Sequence, residues 1–176
     1  MTKTRKTASL TIRNARPADV PAIADLGLRV YGEQNSCSPG MIRGQIAAYP
    51  EGQFVVEYEG AVVGYAASFR IDEMTALGPH SWMEITGGGF ASRHEHDGDW
   101  LYGMEVLVDP DRRRLRIGQR LYDARIALCE NEGLKGITFG GRMPGRARRR
   151  KAYPTPEAYL EAVVGRKVSD QVVNFH

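Results

Sequence analysis

The chain has 176 residues, 42% of them apolar and 26% charged, which suits one globular core and excludes a collagen-like, disulfide-dense or wholly disordered polypeptide. No apolar run reaches the roughly 18–20 residues of a membrane-spanning helix, and no secretory signal follows the basic start, so a cytoplasmic protein is expected. The net charge of +3 hides a local excess: Arg142 to Lys151 holds six of the 24 basic residues and no acid, leaving 18 basic against 21 acidic side chains elsewhere, a net of −3.

In chain order, Leu10-Thr-Ile-Arg-Asn alternates as a short strand. Arg16-Pro17-Ala18-Asp19 opens a helix whose Val20, Ile23, Ala24 and Leu28 fall at the three-and-four spacing of one buried face. Ser38-Pro39-Gly40 opens a second helix through Ile42, Ile46 and Ala47, and Tyr49-Pro50-Glu51-Gly52 stops it. The period then shortens to two. Phe54 to Glu59 and Ala61 to Phe69 are β-rich runs joined by a tight hairpin at Glu59-Gly60. From Asp72 to Asp99 the pattern dissolves into glycine-rich polar sequence, expected as a long loop.

Trp100 to Val108 is the next strand, ending at Asp109-Pro110. A helix follows, with Ile117, Leu121, Ala124 and Leu128 on one stripe and Gly133 as its stop. Ile137-Thr-Phe is a short strand, and Pro156 starts a last helix through Val164. The order points to a mixed α+β layer sandwich forming one domain over residues 1–176, with 1–8 frayed and 142–155 a basic loop. The two cysteines, Cys37 and Cys129, lack C-x-x-C spacing and read as reduced thiols.

The most informative stretch is Val106-Leu-Val-Asp-Pro-Asp-Arg-Arg-Arg-Leu-Arg-Ile-Gly-Gln-Arg-Leu. A strand meets a proline turn, a run of arginines and the start of a helix. The first helical turn presents N–H groups without intrahelical partners and the positive end of the dipole, and that end binds phosphates. Arginine forks add charge-assisted bonds to the same oxygens. Gly118 lets a bulky anion approach the backbone. A pyrophosphate is the expected ligand.

These residues resemble the cofactor motif of the GNAT acyltransferase superfamily, Val-x-Pro-x-x-Arg/Gln-x-x-Gly-x-Gly/Ala. Val108, Pro110, Arg113, Ile117 and Gly118 match in register, while Arg116 replaces the first motif glycine. The resemblance covers the element order from about Leu10 to Phe139. It implies a GNAT-like, mostly antiparallel sheet flanked by helices on both faces, with an ending that stops short of the last strands.

By that resemblance, main-chain groups of Val106, Leu107 and Val108 pair with the pantetheine arm of acetyl-CoA or another acyl-CoA. Arg113, Arg114, Leu115, Arg116, Ile117, Gly118 and Gln119 form the pyrophosphate site. The implied reaction moves an acetyl group to the amine of a small molecule or peptide by direct attack in a ternary complex, with a base removing the amine's proton. Glu105 is the nearest carboxylate. Strand alternation sets it on the face opposite Val106, where it reads either as that base or as a solvated strand glutamate. The acid is unassigned, since neither Tyr153 nor Tyr159 sits in a matching motif.

Gly140-Gly-Arg-Met-Pro-Gly and the Pro-Glu-Ala-Tyr helix carry a second resemblance, to the N-terminal acyltransferase-like domain of bacterial proteins that continue into a carbon–nitrogen hydrolase domain. It opens the alternative of a catalytically silent acyl-CoA-sensing module attached to or partnering a hydrolase, beside that of a homodimer. Gly140 to Gly145 has phosphate-loop spacing, but Arg146-Ala147 stands where Lys-Ser/Thr is required. His94-Glu-His-Asp with Asp99 reads as a solvated acidic loop tip, with attraction of a cationic amine substrate as an alternative. No metal site is expected there, because no second ligand cluster accompanies it. The basic run lacks an aromatic residue until Tyr153, so base stacking is poorly provided for. It reads as a mobile loop, with the cofactor's 3′-phosphate or a partner protein as alternatives, and nucleic acid is not an expected partner.

Overall fold

The computed structural model describes residues 9–112 and 114–174. The β-rich runs form one sheet of five strands, β1 (Leu10–Asn14), β2 (Phe54–Tyr58), β3 (Ala61–Ile71), β4 (Trp100–Val108) and β5 (Gly136–Phe139), in that spatial order. The first four are antiparallel neighbours, and β5 runs parallel to β4. The β2–β3 hairpin turns on Glu59 and Gly60, both left-handed at φ 52° and 83°. Two successive left-handed residues make the two-residue turn whose twist matches the strands it joins.

Helix α1 (Val20–Tyr31) follows a 3-10 turn at Pro17–Asp19. The Asp19 carboxylate accepts from the Arg16 N–H at 2.7 Å and from both Arg13 terminal nitrogens at 2.7 and 2.8 Å. Val20, Ile23 and Ala24 are buried as expected, but Leu28 is 45% exposed. The buried arc centres on Ile23 and Gly27, which turns Leu28 to its rim and brings Leu26 inside. Helix α2 (Pro39–Ala48) is capped by the Ser38 hydroxyl, which accepts from the Met41 N–H at 3.2 Å. It buries Ile42, Gln45 and Ile46, while Ala47 faces out.

The expected long loop between Asp72 and Asp99 contains two short helices, α3 (Glu73–Leu77) and α4 (Trp82–Ile85). Asp72 and Ser81 cap them. Elements of one turn carry no readable period, so only the capping residues foretell them. Helix α5 (Ile117–Glu132) ends at left-handed Gly133. Its buried stripe is Ile117, Gly118, Leu121, Arg125 and Cys129, with Ala124 and Leu128 half-buried. An arginine therefore occupies a place the apolar pattern had not assigned. Gly64 lets α5 sit on the sheet, since a Cβ there would lie 2.5 Å from Ile117 Cγ2.

A main core packs α1 and α2 against Tyr65, Ala67, Phe69 and Leu107, and a smaller cluster joins Ile117 and Leu121 of α5 to Val56, Val63 and Ala66. Among the described residues, no helix is long and apolar enough to cross a membrane.

The acidic loop after α4 is tied to the sheet by His94, whose Nδ1 accepts from the Arg70 N–H at 3.1 Å and whose ring stacks on Tyr49 at 4.7 Å. Burial, then the Arg70 charge, holds the imidazole below the ordinary histidine value of 6.5. A depressed folded-state pKa means that the stabilisation is whole above pH 6.5 and is lost as pH falls through the folded value. The urea midpoint is expected to fall below pH 6.5. His94→Phe removes that part of the fall, a difference read from paired unfolding curves at pH 8 and pH 5.5.

The contacts divide the chain into two units, Met1–Phe139 and Gly140–His176. The second holds helix α6 (Pro156–Val164), capped by Thr155, and a 3-10 turn at Pro144–Arg149 where a mobile loop was expected. Buried Asp170 fixes that turn by accepting from the Gly145 N–H at 2.9 Å and the Tyr159 hydroxyl at 2.8 Å.

Candidate functional site

Strand β4 carries a bulge. Ala67 of β3 faces Glu105 and the next residue, Ser68, faces Gly103, so Met104 is the extra residue. On the other side β5 pairs only with Trp100 to Gly103. From Met104 to Val108, then, no strand among the described residues pairs with that edge. The Asp109 N–H donates to Val63 O at 2.9 Å, so strand alternation turns the main-chain groups of Val106 and Val108 toward the unpaired side.

Three side chains hold the bulged segment by its carbonyls. Trp82 Nε1 donates to Met104 O at 3.1 Å, and Tyr31 Oη donates to Val106 O at 3.1 Å. Arg125 Nη2 donates to Glu105 O at 2.8 Å and to Ala67 O at 2.7 Å. Sequence reasoning assigned none of these three. The one available signal was the arginine spaced four residues from Leu121 and four from Cys129 along an otherwise apolar stripe.

Beyond Val108 the chain is pinned by Asp109, whose carboxylate accepts from Arg29 and from the Asp111 N–H, each at 3.0 Å. A 3-10 turn at Pro110–Arg112 leads toward α5, and Arg113 lies outside the described residues. Leu115 and Ile117 pack on the small cluster with Val106 and Val108, while Arg114 and Arg116 are exposed. Both arginines are left-handed, at φ 76° and 54°. That conformation costs a non-glycine residue about 1–2 kcal/mol. Left-handed residues alternating with right-handed ones are a known way to turn main-chain N–H groups toward an anion.

Arg116 is the N-cap of α5, and Gly118 is buried in its first turn. Among the described residues no carboxylate pairs with Arg114, Arg116 or Arg120. The Gln119 amide instead donates to Asp123 at 2.9 Å, and Arg112 stacks on the Tyr58 ring. The fold thus joins the open β4 edge to a cationic turn and a helix start. Leu107 is turned away, 1% exposed, with its side chain against α1.

Glu105 is not a solvated strand glutamate. Its Oε1 is buried with no hydrogen-bond partner, and burial holds the carboxyl above the usual range despite the opposing influence of Cys37, Arg125 and Gln45. Strand alternation sets its side chain on the face of Leu107 and of its partner Ala67, the α1–α2 side. There Gln45 Nε2 lies 3.6 Å from Cys37 Sγ and donates to Gly89 O at 2.9 Å, and Tyr65 Oη donates to Gln45 Oε1 at 2.8 Å. The Cys37 thiol is pushed up to about 12 by burial and by the neighbouring Glu105. Both cysteines are free thiols, and no group of three metal-ligating side chains occurs among the described residues.

The model of the Acetyltransferase (GNAT) family matches residues 25–154. Probable hydrolase YhcX of Bacillus subtilis (strain 168) is 35% identical over 98% of this chain, which spans 33% of that protein's length. Uncharacterized N-acetyltransferase YkwB of the same organism is 25% identical over 97% of this chain and 77% of its own. Among solved structures, the GphF GNAT-like decarboxylase in complex with isobutyryl-CoA superposes with a TM-score of 0.79 at 28% identity, covering 94% of this chain and 83% of that one.

Proposed function

Since the chain belongs to the GNAT acetyltransferase family, we propose that it binds acetyl-CoA or a related acyl-CoA and transfers the acyl group to an amine. The observation that carries this reading is the unpaired β4 edge running directly into a cationic turn and a helix N-terminus. The donor set fits the ligand. Main-chain N–H groups of Val106 and Val108 would hold the amides of the pantetheine arm, as an added strand does. Arg114, Arg116 and the first turn of α5 would hold the diphosphate. Arg113, outside the described residues, would join that set by the motif register alone.

The bound thioester would supply an activated acyl carbon. The chain's own residues would then do the rest. Tyr31, Trp82 and Arg125 keep the bulge open by taking its carbonyls, so that this edge presents N–H donors for the developing negative charge on the acyl oxygen. Glu105, whose carboxyl is poised above the ordinary range, would accept the proton that an amine must lose to attack.

A second reading, acyl-CoA binding without turnover, is favoured by one observation: one of the two Glu105 carboxyl oxygens, Oε1, is buried with no hydrogen-bond partner. Titration calorimetry with acetyl-CoA tests the shared site. Arg114→Gln with Arg116→Gln is expected to raise Kd at least about tenfold, because a hydrogen bond to a charged group contributes about 1.5–3 kcal/mol. No heat at millimolar acetyl-CoA overturns both readings. Thiol release across a panel of amines separates them. Carbon dioxide released from a carboxyacyl-CoA, with no acyl transfer, would replace transfer with the chemistry for which GphF is named.

A further inference from the structure

The second unit carries its own charge. Residues 140–176 hold eight basic side chains and three acidic ones, a net of +5. One of the three acids, Asp170, is buried at 2% exposure and spends its oxygens on Gly145, Tyr159, Val172 and Val173. Arg148, Arg150 and Lys151 are exposed, and no carboxylate pairs with them among the described residues.

These cations stand on a built element. Arg146 Nη2 donates to Pro154 O at 2.9 Å and Arg149 Nη1 to Gly145 O at 3.5 Å, so two of the arginines fold back and close the turn. The Gly145 N–H is fixed by Asp170, and Arg146 Nε is buried with no acceptor. The remaining cations project from a framework that is already ordered, which reduces the ordering cost of binding.

We propose that this turn is a binding surface for the phosphodiester backbone of nucleic acid, without base selectivity. The polar character of the turn chooses this partner over an acidic protein or a membrane. Protein interfaces concentrate their binding energy in apolar and aromatic anchors, and an amphipathic membrane surface needs a similar apolar face. The basic turn exposes no large apolar side chain, and those exposed among this unit's described residues, Leu160 and Val164, lie on α6. Phosphate binding needs no such anchor, only mobile counterions to displace. Guanidinium forks also match paired phosphate oxygens. Selectivity for bases is absent because Tyr153 is half-buried and packs edge-on at 5.9 Å against Tyr159, which is itself buried. This surface stands whether or not the chain binds an acyl-CoA.

Fluorescence anisotropy with a labelled 20-nucleotide oligouridine, and with a mixed-sequence DNA duplex of equal length, tests the proposal across a salt series. Both probes are expected to bind at micromolar Kd near 100 mM salt, with log K falling linearly against log salt. The triple variant Arg148→Gln, Arg150→Gln, Lys151→Gln should lower the oligouridine slope by about two and raise Kd at least about tenfold at low salt. Unchanged circular dichroism and melting would confirm that the exposed substitutions leave the fold intact. Polyglutamate and anionic phospholipid vesicles serve as competitors. Absence of oligonucleotide binding, an unaltered triple variant, or tighter binding of polyglutamate or vesicles than of either oligonucleotide overturns the assignment.

Discussion

Replacing Arg125 with methionine is expected to lower the free energy of unfolding by about 3–5 kcal/mol, the range for breaking a buried charged network by removing one partner. Arg125 is 1% exposed, and its guanidinium bonds Ser68 Oγ at 2.8 Å, Ala67 O at 2.7 Å and Glu105 O at 2.8 Å. Methionine fills much of the same volume but leaves all three acceptors unpaired in a site closed to water. Arg125→Lys should recover only part of the loss, because an ammonium cannot span the carbonyls of two strands as a planar fork does. Ser68→Ala, which removes one acceptor, should cost about 1 kcal/mol. Urea unfolding of the three variants checks the ranking. A methionine variant within about 1 kcal/mol of the parent would show that the bulge carbonyls find other donors. Because the Glu105 carbonyl belongs to the bulged segment of β4, the methionine variant should also bind acetyl-CoA more weakly at temperatures where it is still folded.

The second large effect concerns turnover. Glu105→Gln should reduce thiol release in the presence of a productive amine by about 10²- to 10⁴-fold, the usual contribution of a positioned base, while the acetyl-CoA Kd stays within about twofold. Burial holds this carboxyl above the ordinary carboxylate range. The base works only when deprotonated, so the parent's kcat/KM should rise with pH through that raised value, and the glutamine variant should lose that limb. Stability and binding are the controls, since glutamine keeps the shape. Equal turnover in parent and variant would remove Glu105 from the chemistry. Turnover absent from both, with acetyl-CoA still bound, would leave the non-catalytic reading.

Much of the fold was legible locally. β1, the β2–β3 hairpin, the end of β4 at Asp109-Pro110 and the stop of α5 at Gly133 each rest on a period or a turn residue within a few positions. The resemblance to the GNAT family placed the cationic turn before α5 by the register of Val108, Pro110 and Gly118. What escaped were α3 and α4, each too short to show a period, and Leu28, whose exposure depends on which arc of α1 meets the sheet. Glu105 was named as a candidate base, but its burial escaped for a related reason. Alternation gives a strand residue its face but not what covers that face, and here Cys37, Gln45 and Tyr65 arrive from three other segments.

The sequence by itself determined the five strands, the longer helices, their order and the clustering of cations at two places, because these follow from spacing and composition along the chain. Only the tertiary structure decided that β4 bulges at Met104 and leaves β5 after Gly103. It alone revealed that Tyr31, Trp82 and Arg125 hold the carbonyls of the bulged segment, and that Asp170 orders the basic turn. These are partnerships between residues 11 to 75 positions apart. They arise only when packing removes water and obliges each buried donor and acceptor to find a protein partner.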